Sequence, residues 1–417
     1  VNNRALHRFA LFTAAATFAL LGAGGLVTSH GVGMAVPDWP NTFGYNMFFF
    51  PFSQWVGGVF YEHTHRLLAS GVGLLTSILA IWLYGRSARR FLRWTGLVLM
   101  VLGLGTKLVM PHRWADAVVL GFSGAVALAA STRWPRCEAA PAWLRRLGLA
   151  AFVAVVLQGI LGGLRVVLFK DQIGIFHATL AQLFFVLICA LALFTSRWWE
   201  EVGDGIPLPL GERANDPQLA GVLKVSWLCM GATAMILAQL MLGATMRHRH
   251  AGLAIPDFPL AYGKLWPAMD SQSVARYNQQ RMEVVAVNAI TAAQIALQMV
   301  HRLCAILLFG AVAFCAWSVR RELGVRHFVT RLSLSWLGLL VIQILLGAAT
   351  IWSNKAADIA TAHVLVGALS LALGAVLSII LARASGFAQR SRLVSLRPPA
   401  ESTGSFGAQP SPAIGIE

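Results

Sequence analysis

Charged side chains are scarce in this sequence: Asp, Glu, Lys and Arg together make up 12% of its 417 residues, about half the share of a soluble globular domain. With 57% hydrophobic residues and a mean hydropathy of +0.67, that scarcity excludes a water-soluble globule and places the chain in a bilayer. Cysteine is also sparse. The five cysteines, Cys137, Cys189, Cys229, Cys304 and Cys315, avoid the two long loops at 30–55 and 247–284 and form no CxxC pair. A disulfide framework and a dithiol redox motif are therefore excluded.

What is abundant is apolar sequence in runs long enough to span a membrane, about 17–25 residues each. Ten spans are expected, at about 9–29, 56–84, 94–111, 114–131, 147–167, 175–196, 222–246, 285–318, 332–352 and 359–383. The first is too long for a signal-peptide core. Cytoplasmic loops are enriched in Lys and Arg. With the N-terminus inside, 21 of the 33 fall on the cytoplasmic side, 10 outside, and Arg66 and Arg302 within spans. The bias predicts an integral multi-pass protein of a bacterial inner membrane with both termini cytoplasmic. It also accounts for the net charge of +16 without a nucleic-acid partner. The outer loop 247–284 is rich in Arg, but long loops obey the rule weakly.

The sequence repeats itself. Gly33-Met34-Ala35-Val36-Pro37-Asp38-Trp39-Pro40 returns 219 residues later as Gly252-Leu253-Ala254-Ile255-Pro256-Asp257-Phe258-Pro259, and the same offset joins Gly24 to Gly243. His65-Arg66-Leu67 is echoed by His301-Arg302-Leu303 at an offset of 236, and His177-Ala178 by His363-Val364 at 186. The first half thus holds 50 extra residues between its histidines, enough for an inserted pair of spans. The expected fold is all-α, with two tandem pseudo-symmetric four-helix bundles and an inserted helical hairpin in the first. The expected division is a first bundle at 1–200 with its hairpin at about 92–133, a cytoplasmic linker at 201–221, a second bundle at 222–385, and a disordered cytoplasmic tail at 386–417.

Four of the eleven histidines, His65, His177, His301 and His363, occupy matched positions near the outer ends of spans. Two neutral imidazoles facing one another across a helical bundle suit the axial positions of a haem iron. Zinc fits less well, because no Cys or carboxylate completes a matched tetrahedral set. Small-residue runs such as Leu21-Gly22-Ala23-Gly24 and Leu346-Gly347-Ala348 recur at these depths; they permit close helix packing, clearance for a flat macrocycle, or both. Glu62 stands one turn before His65, on the same helix face, and an intramembrane carboxylate is a functional candidate by default. A buried ion pair with Arg66 is the plainer alternative. In the second half Gln298 replaces the carboxylate while Arg302 still follows His301. The arginines thus have a task that does not require Glu62, and binding a haem propionate is one. Asp38 and Asp257 are expected to rigidify their loops by bonding nearby backbone amides rather than to act in catalysis; such loops could still cap a haem edge with Trp39 or Phe258.

Through Glu62-His63-Thr64-His65-Arg66, His177, His301-Arg302 and His363, the chain resembles the haem A synthase family over most of residues 9–383. The resemblance implies that His65 and His177, with Arg66, bind a substrate haem O. It implies that His301 and His363, with Arg302, hold a haem b cofactor, and that Glu62 acts on the substrate. The reaction implied is oxidation of the C8 methyl of haem O through an alcohol to a formyl, giving haem A for terminal oxidase assembly. A haem O synthase would supply the substrate, and a separate electron-transfer partner is required, because removing four electrons exceeds what any side chain here can store. Residues 30–55 lack the cysteine pair of some family members, and the inserted hairpin is not part of the family pattern. A di-haem b-type electron carrier such as a quinone oxidoreductase, or a haem transporter or chaperone, stays open as an alternative. The carrier predicts equivalent halves, against which Glu62 and Gln298 count.

Overall fold

Inside a bilayer no water can satisfy a backbone amide, so an apolar run closes its hydrogen bonds on itself as a helix. The computed structural model describes residues 3–135, 137–168, 170–201, 217–280 and 289–395. Among them all ten expected spans are helices long and apolar enough to cross a membrane, and the chain is an integral multi-pass membrane protein. The helices are α1 (Arg4–Ser29), α2 (Gly57–Trp82), α3 (Ala88–Val109), α4 (Trp114–Arg133), α5 (Ala142–Leu168), α6 (Asp171–Phe194), α7 (Arg197–Glu201), α8 (Pro217–His248), α9 (Ser271–Gln279), α10 (Ala292–Leu323), α11 (Phe328–Trp352) and α12 (Ala357–Ser395). No strand occurs among the described residues, only the isolated bridges Thr42–Tyr45 and Ala261–Lys264.

Several helices begin earlier than hydropathy suggests. α3 starts at Ala88 rather than about 94, and α5 at Ala142 rather than about 147. Arg89, Arg90 and Arg93, like Arg145 and Arg146, lower local hydropathy, yet arginine is a good helix former. The start of the eighth expected span, at 285, lies outside the described residues. The helix itself opens at Ala292 with a capping box between Thr291 and Gln294. Most of the linker at 201–221 and residues 396–417 also lie outside the described residues; the first part of the tail expected to be disordered at 386–417 instead continues α12 to Ser395.

Four helices of the first half close a ring in the order α1, α2, α5, α6, each packed on its neighbours and α6 back on α1. The second half repeats it with α8, α10, α11 and α12. The rings meet along α1–α12, α6–α8 and α6–α12. Exchanging the halves maps the first two contacts onto one another and the third onto itself, so the halves are related by a pseudo-two-fold axis. Arg247, at the end of α8, reaches across the junction and donates to the Gly25 carbonyl at 2.7 Å and to Ser29 Oγ.

The inserted hairpin, α3 and α4, packs chiefly on itself. Glycines let its two backbones touch: a Cβ at Gly103 would stand 2.8 Å from the Gly121 nitrogen, and one at Gly124 2.7 Å from the Gly96 oxygen. Small residues give membrane helices this van der Waals contact where no hydrophobic force acts between them.

Candidate functional site

The repeated Pro-Asp-aromatic-Pro segments form the same turn twice, on the face of the molecule that carries the long loops. Asp38 accepts from the Phe43 and Gly44 amides, both at 2.8 Å. Asp257 accepts from Tyr262 and Gly263 at 2.7 and 2.8 Å. The residues at the corner, Phe43 and Tyr262, have φ of 50° and 52°, a left-handed conformation that the two carboxylate bonds hold in place. Each loop is then fastened to the helix behind it. Arg66 donates to the carbonyls of Val36, Asp38 and Asn41 at 2.9, 2.7 and 3.0 Å. Arg302 donates to those of Asp257 and Leu260 at 2.7 and 2.9 Å.

Glu62 belongs to the same fastening. Its Oε2 accepts from the Val36 amide at 2.9 Å, and its Oε1 pairs with Arg66 at 2.7 Å. The side chain is buried. In the second half Gln298 Oε1 accepts from the matching Ile255 amide at 2.7 Å, while its amide nitrogen points to the Gly252 and Ile255 carbonyls. Glu62 and Gln298 therefore share one structural task. Only Glu62 adds a charge, and the ion pair with Arg66 is present.

His65 lies on α2 and His177 on α6, at opposite corners of the first ring; His301 on α10 and His363 on α12 repeat this in the second. Every ring sits on a glycine of the preceding helix in its bundle. A Cβ at Gly24, Gly162, Gly243 or Gly347 would stand 2.9, 3.3, 3.4 or 3.2 Å from the Cε1 of His65, His177, His301 or His363 respectively. Trp39 is seated in the same way: a Cβ at Gly163 would meet its indole at 2.3 Å. In the second half Phe258 meets Trp352, with centroids 6.1 Å apart, and Arg302 lies 5.5 Å over its ring.

The two pairs differ in how their rings are held. The Gln239 amide lies 3.1 Å from His301 Nδ1, and His363 Nδ1 lies 3.1 Å from the Gln343 carbonyl. Among the described residues, the Nδ1 atoms of His65 and His177 are buried with no partner. A side-chain amide can present its oxygen or its nitrogen to an imidazole. Gln239 presents its nitrogen, which also donates to the His301 carbonyl at 2.9 Å; at His363 the Gln343 main-chain carbonyl accepts the Nδ1 proton and leaves Nε2 unprotonated for a metal. Two imidazoles on opposed helices, cleared by glycines, are a donor set that would suit a haem iron. Among the described residues no cluster of three or more His, Cys, Asp or Glu side chains exists to favour a tetrahedral ion. Arg302 Nε is also buried with no partner among those residues, a donor suited to an acid group.

His63, which the sequence left without a role, is fully buried. It hydrogen-bonds Thr42 at 3.1 Å and is packed by Phe50 and Trp55, so it anchors the loop. The glutamines that contact the histidines were not anticipated. Their signal is a Gln one turn before the glycine, at Gln158, Gln239 and Gln343.

A duplicated all-α membrane bundle with one opposed histidine pair per half defines the class of this protein. Within that class, the family model COX15-CtaA, described as cytochrome oxidase assembly protein, matches residues 108–375, and the chain belongs to this haem A synthase family. Its role is in cytochrome oxidase assembly. The matched region contains His177, His301 and His363; Glu62 and His65 precede it. No curated protein matches the chain.

Proposed function

We propose that the chain is a haem A synthase of a bacterial inner membrane with both termini cytoplasmic, oxidising the C8 methyl of haem O through the alcohol to the formyl of haem A. The observation that carries this is the unequal treatment of two otherwise matched histidine pairs. A resident cofactor calls for rings fixed in advance, and His301 and His363 have partners at Nδ1. A substrate that must enter and leave calls for looser ligands, and His65 and His177 have none.

In this scheme His301 and His363 would hold haem b, and the unpartnered Arg302 Nε would be available to its acid side chain. Bound there, haem b would supply one-electron redox chemistry; with water as the source of the formyl oxygen, the oxidation releases four protons and four electrons, and the electrons require an external partner. His65 and His177 position haem O, which a haem O synthase delivers, and terminal oxidase assembly receives the product. Glu62 accepts bonds at both oxygens, so its part is that of a fixed negative charge one turn from His65. Such a preorganised charge favours positive charge developing at the methyl carbon. Arg66 is committed to loop carbonyls and Glu62, and it serves the substrate by holding that loop. A di-haem carrier has no use for the inequality.

Co-expression with a haem O synthase, followed by extraction of membrane haems, tests the proposal. Formyl haem, absent without this protein, is expected; haem O left unchanged would overturn it.

A further inference from the structure

Glycine and histidine recur at all four corners of the two sites, but the residue one turn before the glycine does not. It is Gln158 before Gly162, Gln239 before Gly243 and Gln343 before Gly347, yet Leu20 before Gly24. Each glutamine engages its histidine. Gln158 Nε2 donates to the His177 carbonyl at 3.0 Å. Gln239 Nε2 donates to the His301 carbonyl at 2.9 Å and also lies 3.1 Å from the ring. The Gln343 main-chain carbonyl lies 3.1 Å from His363 Nδ1, and the glutamine side chain itself reaches the ring through its amide nitrogen, 3.5 Å from Nε2. The side-chain oxygens of all three glutamines are buried with no partner among the described residues, so each keeps an acceptor beside its histidine. Leu20 packs into the apolar core around Leu6, Val72 and Ile188 and offers neither donor nor acceptor. The four histidines thus form a graded series. His301 and His363 are tethered at the ring, His177 at the main chain, and His65 at neither.

Outer-shell hydrogen bonds orient a ligating imidazole and raise its basicity, and their loss typically costs about 10–100-fold in metal affinity. We propose that Leu20 makes His65 the releasable ligand of the substrate haem, so that haem O enters and haem A departs from the His65 side while His177 keeps hold. This rests on the assignment of the first half to the substrate. Leu20 acts through His65 and is a positioning residue.

The test uses the full-length protein in nanodiscs, loaded by co-expression with a haem O synthase and mixed with excess apomyoglobin as haem acceptor. Haem O and haem b are chemically distinct, so chromatography follows the release of each separately. Leu20→Gln should slow haem O release about tenfold or more and sharpen the low-spin signal of that haem, leaving haem b release unchanged. Leu20→Met, which restores no hydrogen bond, should behave as the unmodified protein. Gln239→Leu should speed haem b release and spare haem O. Unchanged haem O release in Leu20→Gln, or equal slowing in Leu20→Met, overturns the proposal. If Leu20→Gln does not fold, Gln239→Leu decides: faster haem b release supports tethering by this position, and an unchanged rate refutes it. An unmodified protein that takes up no haem O refutes the substrate assignment itself, whatever the variants do.

Discussion

At matched places the two halves carry Glu62 and Gln298, and both side chains receive the amide of the loop residue that packs against them, Val36 in one half and Ile255 in the other. A neutral amide is therefore sufficient to build the scaffold, and the charge of Glu62 is surplus to folding. The histidines show the reverse economy. Their positions match, but the second half adds hydrogen bonds at both rings that the first lacks. Comparing the halves separates what the fold needs from what distinguishes one site from the other.

The strongest way to break that comparison is to remove ligands one half at a time. His301→Ala or His363→Ala should abolish the tightly held haem b of the purified protein, measured by haem extraction and the low-spin spectrum. His65→Ala should retain haem b and lose formyl haem production. Equal haem loss from both halves would erase the distinction. Next, Glu62→Gln copies the second half into the first. Because Gln298 already performs the structural task, the variant should fold and bind haem, while formyl haem formation falls by about 10²–10³-fold, the range for removing one preorganised electrostatic contact. Full activity would leave Glu62 as a strut alone.

Smaller effects sharpen the comparison. Gly24→Ala places a Cβ 2.9 Å from the His65 ring, against 3.4 Å for Gly243→Ala and His301. The first should cost about 1–3 kcal/mol, as overpacking does, and shift the first-half haem spectrum; the second should be tolerated. Identical thermal and spectral shifts would show that both rings yield equally. Smallest, Asp38→Ala and Asp257→Ala each remove two backbone-amide bonds from a partly exposed turn and should each lower stability by about 1 kcal/mol, seen as similar drops in melting temperature. A much larger loss in one half would mean the two turns are not equivalent.

Much of this architecture was legible beforehand, because hydropathy reports the bilayer and the repeat reports the duplication. The offsets of the histidines predicted the inserted pair, which the structure shows as α3 and α4. The Asp38 and Asp257 turns were legible too, since their partners lie five and six residues away. What escaped was non-local. Nothing in the sequence links Glu62 to an amide 26 residues earlier. A glutamine inside an apolar run reads as an isolated polar residue until the fold brings Gln239 to His301, 62 residues on. α9 was missed for a different reason: nine mostly polar residues carry no spanning signal. Its place is set by Tyr277, which stacks on Tyr262 at 3.6 Å.

The contact between the rings, where α1–α12 mirrors α8–α6 and α6 meets its own counterpart, has the form of an isologous interface. Were such an assembly made from two separate identical chains, every residue on one side would recur on the other. Leucine at position 20 would bring leucine at position 239, and a carboxylate beside one histidine pair would bring a carboxylate beside both. Joining the halves in one polypeptide lifts that constraint while keeping the symmetric packing. Covalent continuity is thus what allows the rings of one histidine pair to be hydrogen-bonded while those of the other are left without partners.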